Sequence, residues 1–156
     1  PGLSSLEVKQ KSSFAEYKRS SITGFISKAS TRIKAYQPDC IISAAVKPNL
    51  FNARNTFGQE WDVWLAGGYI DWAIPMNYTM DLSTFDKNIQ IMKNNLPDKY
   101  MERIVMGIAT YNQNAKNAGR KIYHTGKNDF GGISIFSYTV FQDQPSYANK
   151  LIKYLK

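Results

Sequence analysis

The sequence predicts an α/β fold in which four short apolar strands alternate with helices. Three observations carry this. Apolar runs open near residues 40, 70, 103 and 132, about 30 residues apart, which is the length of a βαβ unit. The runs are nearly continuous in apolar residues, so both faces of each strand are expected to be covered, as in a parallel sheet with helices outside. The segments between them repeat apolar residues at helical spacing. Two architectures fit: a small doubly wound sheet, or half of an eight-stranded (β/α)8 barrel, which is about 250 residues when complete. The glycine-rich turn that cradles phosphate in doubly wound folds is missing. No Gly-x-Gly-x-x-Gly follows a strand, and Gly131-Gly132 precedes one, as a turn into it.

The elements follow in order. Residues up to about Ser12 read as a polar lead-in, and Ser13-x-x-Glu16 has the pattern of a capping box. Ile22, Phe25, Ile26, Ala29, Ile33 and Tyr36 then form one helical face, ended by Gln37-Pro38-Asp39. Cys40 to Val46 is the first strand, closed by Lys47-Pro48-Asn49. Phe57, Trp61, Trp64 and Leu65 share the next helical face, and Gly67-Gly68 stops that helix in a left-handed turn. Ile70 to Met76 is the second strand. Ser83-x-x-Asp86 opens a helix with Phe85, Ile89, Met92 and Leu96 inward, and Pro97 ends it. Arg103 to Ala109 is the third strand, followed by a polar helix over 112–127 with Ala115, Ala118 and Ile122 inward. Gly132 to Phe136 is the fourth strand. Pro145 suits the first position of a last helix, whose buried face is Tyr147, Ala148, Leu151, Ile152 and Leu155.

Bulk properties narrow the class. With 156 residues, one domain over residues 1–156 is expected. Hydrophobic residues at 43% and charged residues at 21% are ordinary for a globular protein. No apolar run approaches the roughly 20 residues of a membrane span. The chain starts at Pro1 rather than Met and reads as trimmed, so a missing leader carries no information about compartment. The net charge of +8 comes from scattered Lys and Arg with no run of five. The loose groups Lys9, Lys11, Lys18, Arg19 and Lys116, Arg120, Lys121, Lys127 read as solvated helix faces rather than a nucleic-acid footprint. Cys40 is the lone cysteine, read as a buried thiol, and His124 is the lone histidine, in a basic helical stretch. Neither supports a metal cage or a nucleophilic triad, and no metal or cofactor is expected.

The most informative stretch is Gln59-Glu60-Trp61-x-x-Trp64-Leu65, then Gly68-Tyr69-Ile70-Asp71, then Ala73-Ile74-Pro75-Met76-Asn77-Tyr78. It resembles the bacterial glycosyl-hydrolase-like family 10. Tyr17-Lys18-Arg19 before a long helix, with Ile33 to Pro38, looks like that family's preceding helix, Ile42 to Pro48 like its next strand, and Gly132 to Tyr138 like its last barrel strand. The match runs in order over nearly the whole chain. The resemblance implies strands five to eight, the C-terminal half of a (β/α)8 TIM-type barrel. It also implies a parent protein that acts on carbohydrate outside the cytoplasm of a bacterium, often as a lipoprotein. The first half of the barrel, where the family carries an aspartate on its fourth strand, is not in this sequence.

Barrel chemistry sits at the carboxyl ends of strands, and glycoside hydrolysis ordinarily needs two carboxyl groups there. Only Asp81 lies close to a strand tip, so it is the catalytic candidate. Asn77, Tyr78, Lys47, Asn49, Tyr111 and Tyr138 occupy the tips as substrate-binding candidates: tyrosines to stack on sugar rings, amides and the ammonium to bond hydroxyls. Asp71 lies at the start of its strand and reads as structural, while Trp61, Trp64 and Trp72 read as core. The expectation is part of a glycoside hydrolase-like protein that cleaves a polysaccharide or cell-envelope glycan, this piece being inactive alone. The alternatives are a non-catalytic carbohydrate-binding domain and, behind it, a basic nucleic-acid-binding domain. Open sheet edges are expected to favour a homo-oligomer.

Overall fold

The computed structural model describes residues 5–154. Helix α1 (Ser5–Tyr36) leads into β1 (Ser43–Val46). A short turn of helix, α2 (Leu50–Asn52), runs into a π-helical turn (Ala53–Phe57) and then α3 (Trp61–Ala66). β2 (Trp72–Pro75) and α4 (Leu82–Asn95) follow, then a 3₁₀ turn (Asp98–Arg103), β3 (Val105–Ala109) and α5 (Ala115–Gly126). β4 (Gly132–Phe136), α6 (Thr139–Asp143) and α7 (Pro145–Ile152) complete the order.

The sheets are small and parallel. β1 pairs with β2, Ser43 opposite Trp72 and Val46 opposite Pro75, and β3 pairs with β4, Val105 opposite Gly132 and Ala109 opposite Phe136. Single parallel bridges, Ala73 to Ile104 and Met76 to Gly107, join β2 to β3. The strands therefore neighbour one another in chain order, with a helix after each. Trp61, Trp64 and Leu65 of α3, Phe85, Ile89 and Met92 of α4, and Ala118 and Ile122 of α5 bury against Val46, Ala73, Ile104, Met106 and Ile108. Two local signals work as expected. Gly68 adopts φ 66° after α3, and Pro145 opens α7.

Several expectations are corrected. α1 starts before Ser13, so the capping box is interior. Glu7, Lys9, Gln10 and Lys11 are good helix formers, and the helix runs through the signal. Phe25 and Tyr36 are exposed, because α1 meets the body on one narrow side, through Ile22 and Ile26. Cys40 is exposed, outside a first strand that begins only at Ser43. Phe57 closes the π-helical turn, off α3, and is exposed. α4 is capped by Asp81, not by Ser83, and α5 begins at Ala115 under Asn114. α6 is a short helix that the sequence pattern does not predict. Ile152 is exposed and Leu155 lies outside the described residues.

Trp72 is 41% exposed rather than core, and the reason extends beyond one residue. Along β2 and its tip, Ala73, Pro75 and Asn77 are buried while Trp72, Ile74, Met76 and Tyr78 are not. Ser43 and Ala45, paired with Trp72 and Ile74, are exposed too. Successive strand residues point to opposite faces. Here one face is covered by helices and the other is open along β1 and β2.

Candidate functional site

The carboxyl ends of β2, β3 and β4 bring three aromatic rings together on this open side. Tyr78 stacks on Phe136, with ring centroids 5.5 Å apart and planes 11° from parallel. Tyr111 stands edge-on to both, 6.4 Å from Tyr78 and 6.0 Å from Phe136. These are favoured geometries for aromatic pairs. Tyr111 is 57% and Phe136 52% exposed, so the cluster is a surface and not a core. Burial, and then the neighbouring Tyr111 hydroxyl, push the Tyr78 phenol above its ordinary range, so it stays a neutral donor at neutral pH. The Phe136–Ser137 peptide at this rim is cis.

Backbone and side-chain bonds hold the rings in place. Thr110 donates its N–H to Phe136 O (2.8 Å) and its hydroxyl to Ser137 O (3.1 Å), tying the β3 tip to the β4 tip. Asn112 donates its amide to Tyr78 O at 2.9 Å, and its own Oδ1 is buried with no partner among the described residues. Buried polar atoms are ordinarily bonded, so this acceptor is a distinctive feature of the rim.

The remaining candidates divide. Asn77 is buried behind the sheet: it donates to Phe85 O (3.1 Å) and accepts from Asn88 Nδ2 (2.9 Å), clamping α4 to the β2 tip. It lies on the opposite face from Tyr78. Lys47 sits at the end of β1 with its ammonium 4.6 Å from the Phe57 ring centre. Its backbone accepts from Trp61 Nε1 (3.1 Å) and donates to Gln59 Oε1 (2.9 Å). Asn49 caps α2 through Asn52 N at 3.0 Å. Tyr138 is exposed beside Phe141, apart from the three-ring cluster.

Asp81 points to solvent as the N-cap of α4. Thr84 donates both its hydroxyl and its N–H to Oδ2, each at 2.7 Å. Those bonds, the hydroxyl first, hold the carboxyl below its ordinary range against the opposing desolvation, with the Ser83 N–H and then Lys121 adding to them. Asp81 is therefore ionised at neutral pH, which suits a nucleophile or base and not a proton donor.

Two residues of the rim escaped sequence reasoning. The sequence pattern places Phe136 at the end of a strand expected to be buried. Lys121 reads from the sequence as one of the solvated lysines, but it is 1% exposed. Its ammonium donates to Thr79 O, Met80 O (3.1 Å) and Gln113 Oε1 (2.6 Å), pinning the loop after β2 to the loop after β3. Burial lowers its pKa, opposed by Asp81. A signal existed: Ala118, Lys121, Ile122 and Thr125 follow the inward stripe of α5. The lone histidine pairs with Asp86 at 3.0 Å between α5 and α4. Among the described residues, no group of His, Cys, Asp and Glu could hold a metal ion.

No curated protein matches the chain. A family model described as glycosyl hydrolase-like 10 matches residues 2–124, which span β1 to β3, the Trp61–Tyr78 stretch and two of the three rings. By that match, over most of its length, the chain belongs to the glycosyl hydrolase-like 10 family.

Proposed function

We propose that this chain is the carboxyl-terminal half of a (β/α)8 barrel whose open face is the barrel interior and whose strand-tip rim binds a glycan. The observation that carries the reading is the half-exposed Tyr78–Tyr111–Phe136 cluster at the carboxyl ends of three adjacent parallel strands. The C–H face of a pyranose packs against such rings, and the neighbouring polar groups orient its hydroxyls. In the whole protein this rim forms one wall of a cleft that cleaves a glycosidic bond in a polysaccharide or cell-envelope glycan, outside the cytoplasm of a bacterium. Asp81 is the carboxylate we assign to chemistry here. The second carboxyl group that hydrolysis requires comes from the other half, so this chain alone binds without turnover. Its outer strands, β1 and β4, lack a neighbour on one side among the described residues. Copies are expected to associate through them, and sedimentation as a clean monomer would count against that.

Two measurements test this. Isothermal titration with neutral oligosaccharides should show binding that Tyr111→Ala weakens about tenfold. In the full-length protein, Asp81→Asn keeps a capping side chain and should abolish hydrolysis while leaving the melting temperature near wild type. Retained hydrolysis removes Asp81 from the chemistry. A full-length protein that binds glycans with no turnover at all supports the second reading, a non-catalytic carbohydrate-binding domain, which is favoured by the full use of Asp81 Oδ2 as a helix cap.

A further inference from the structure

Beside the aromatic cluster, between the start of α5 and the start of α7, lies a recess of about 270 Å³. Tyr111 is one of its walls, so it is continuous with the ring surface. Asn114 and Lys116 line it from α5, and Gln144, Ser146 and Lys150 from α7. Tyr147 forms a rigid floor: it is buried and donates its hydroxyl to Gln113 O at 3.0 Å, bolting α7 to the loop after β3.

Its charge sets this recess apart. Among the described residues, neither Lys116 nor Lys150 makes an ion pair and no carboxylate lines the recess. Three other recesses in the molecule each mix signs. One holds Asp81 with Arg120 and Lys121, another Asp62 with Arg54, a third Asp98, Glu102 and Asp129 with Lys93 and Lys99. Two ammonium groups without an acidic partner among the described residues, set around one concave surface, attract an anion more strongly than either would on a flat face. Lysines act as point charges that suit any anionic oxygen cluster, without the fork geometry of arginine.

We infer that this recess is a subsite for an anionic substituent, a carboxylate or a sulfate or phosphate ester, on the same glycan that packs against Tyr111. The inference rests on the carbohydrate reading above and adds the substrate class: an acidic saccharide. A sugar ring on Tyr111 places its substituent toward Lys116 and Lys150, while Asn114, Gln144 and Ser146 offer hydrogen bonds to the adjoining hydroxyls.

The test probes a printed panel of neutral, carboxylated, sulfated and phosphorylated oligosaccharides with the 156-residue chain. Affinities for tetragalacturonate and its fully methyl-esterified form are measured alongside. Three variants are compared: Tyr111→Ala, the pair Lys116→Gln with Lys150→Gln, and the pair Lys28→Gln with Lys87→Gln, which removes equal charge from exposed sites elsewhere. Acidic members should bind at least about tenfold tighter than neutral ones of equal length. The Lys116/Lys150 pair should erase that preference and keep neutral binding, and the Lys28/Lys87 pair should retain it. The carboxylate, sulfate and phosphate arms then tell which anion fits. Equal retention of neutral and acidic members that still depends on Tyr111 overturns the subsite and leaves the carbohydrate reading standing. So does an acidic preference that the two control lysines remove equally. Failure of every saccharide to bind overturns both.

Discussion

At the amino ends of the strands, Arg103 lays its guanidinium across the carbonyl oxygens of Leu65 (3.0 Å), Ile70 (2.5 Å) and Asp71 (3.0 Å), at the turn between α3 and β2. The Asp71 carboxylate accepts from Ile42 N at 2.7 Å and pairs with Lys34 at 3.1 Å. Charges there are spent on the chain's own backbone. At the carboxyl ends, by contrast, two of three clustered rings are half exposed, and among the described residues the buried Asn112 acceptor has no partner and two lysines share a recess with no acid. The difference is one of satisfaction. An end whose polar groups are saturated internally holds the fold, and an end that leaves groups unmatched is disposed to bind.

Substitutions should separate the two ends. Arg103→Ala removes a charged donor from three carbonyls at once and should cost about 3 kcal/mol in urea unfolding, since hydrogen bonds to charged groups exceed the neutral average. A loss below about 1 kcal/mol would break the comparison at its stable end. Asn77→Ala strands the amide of Asn88 and the carbonyl of Phe85 and should cost about 2 kcal/mol. Glycan affinity of the folded fraction should barely change. The reverse outcome would return Asn77 to the binding surface.

Acid titration gives a third comparison. The Ile42 N–H, then Lys34 and Arg103, hold the Asp71 carboxyl below its ordinary value, against the opposing effect of burial. Its folded pKa is thus lower than the unfolded value of about 3.9. The stabilisation is complete above about pH 4 and is lost as pH falls through the folded value. Asp71→Asn should lower stability at pH 7 and flatten the acid limb of the stability curve below about pH 4. Asp81→Asn, at a fully solvated cap, should flatten it less. Smallest of all, Tyr111→Ala should shift stability by no more than about 0.5 kcal/mol, as surface changes do, while reducing glycan binding.

Much of this was legible beforehand. The β/α alternation, the order of four strands, the stop at Gly67-Gly68 and the inward faces of α4 and α5 all rest on local signals that the fold obeys. The structural role of Asp71 followed from its place ahead of β2. The candidate site was read less completely. Tyr78 and Tyr111 do meet, but Asn77 sits behind the sheet, and Phe136 and Lys121 went unnoticed. Trp72 reads as core because an apolar strand gives no sign of which of its faces a helix will cover, yet it is exposed.

By itself, then, the chain determined periodicity, breaks and caps, since these depend on neighbours within one or two turns. Only tertiary structure decided that Tyr78 stacks on Phe136 and that an α5 lysine is buried on three acceptors, two of them in the loop after β2. It also decided that Lys116 and Lys150 face one recess. Those relations depend on which strands and helices become neighbours, and that choice is made by the packing of whole elements, whose energies no short window of sequence contains.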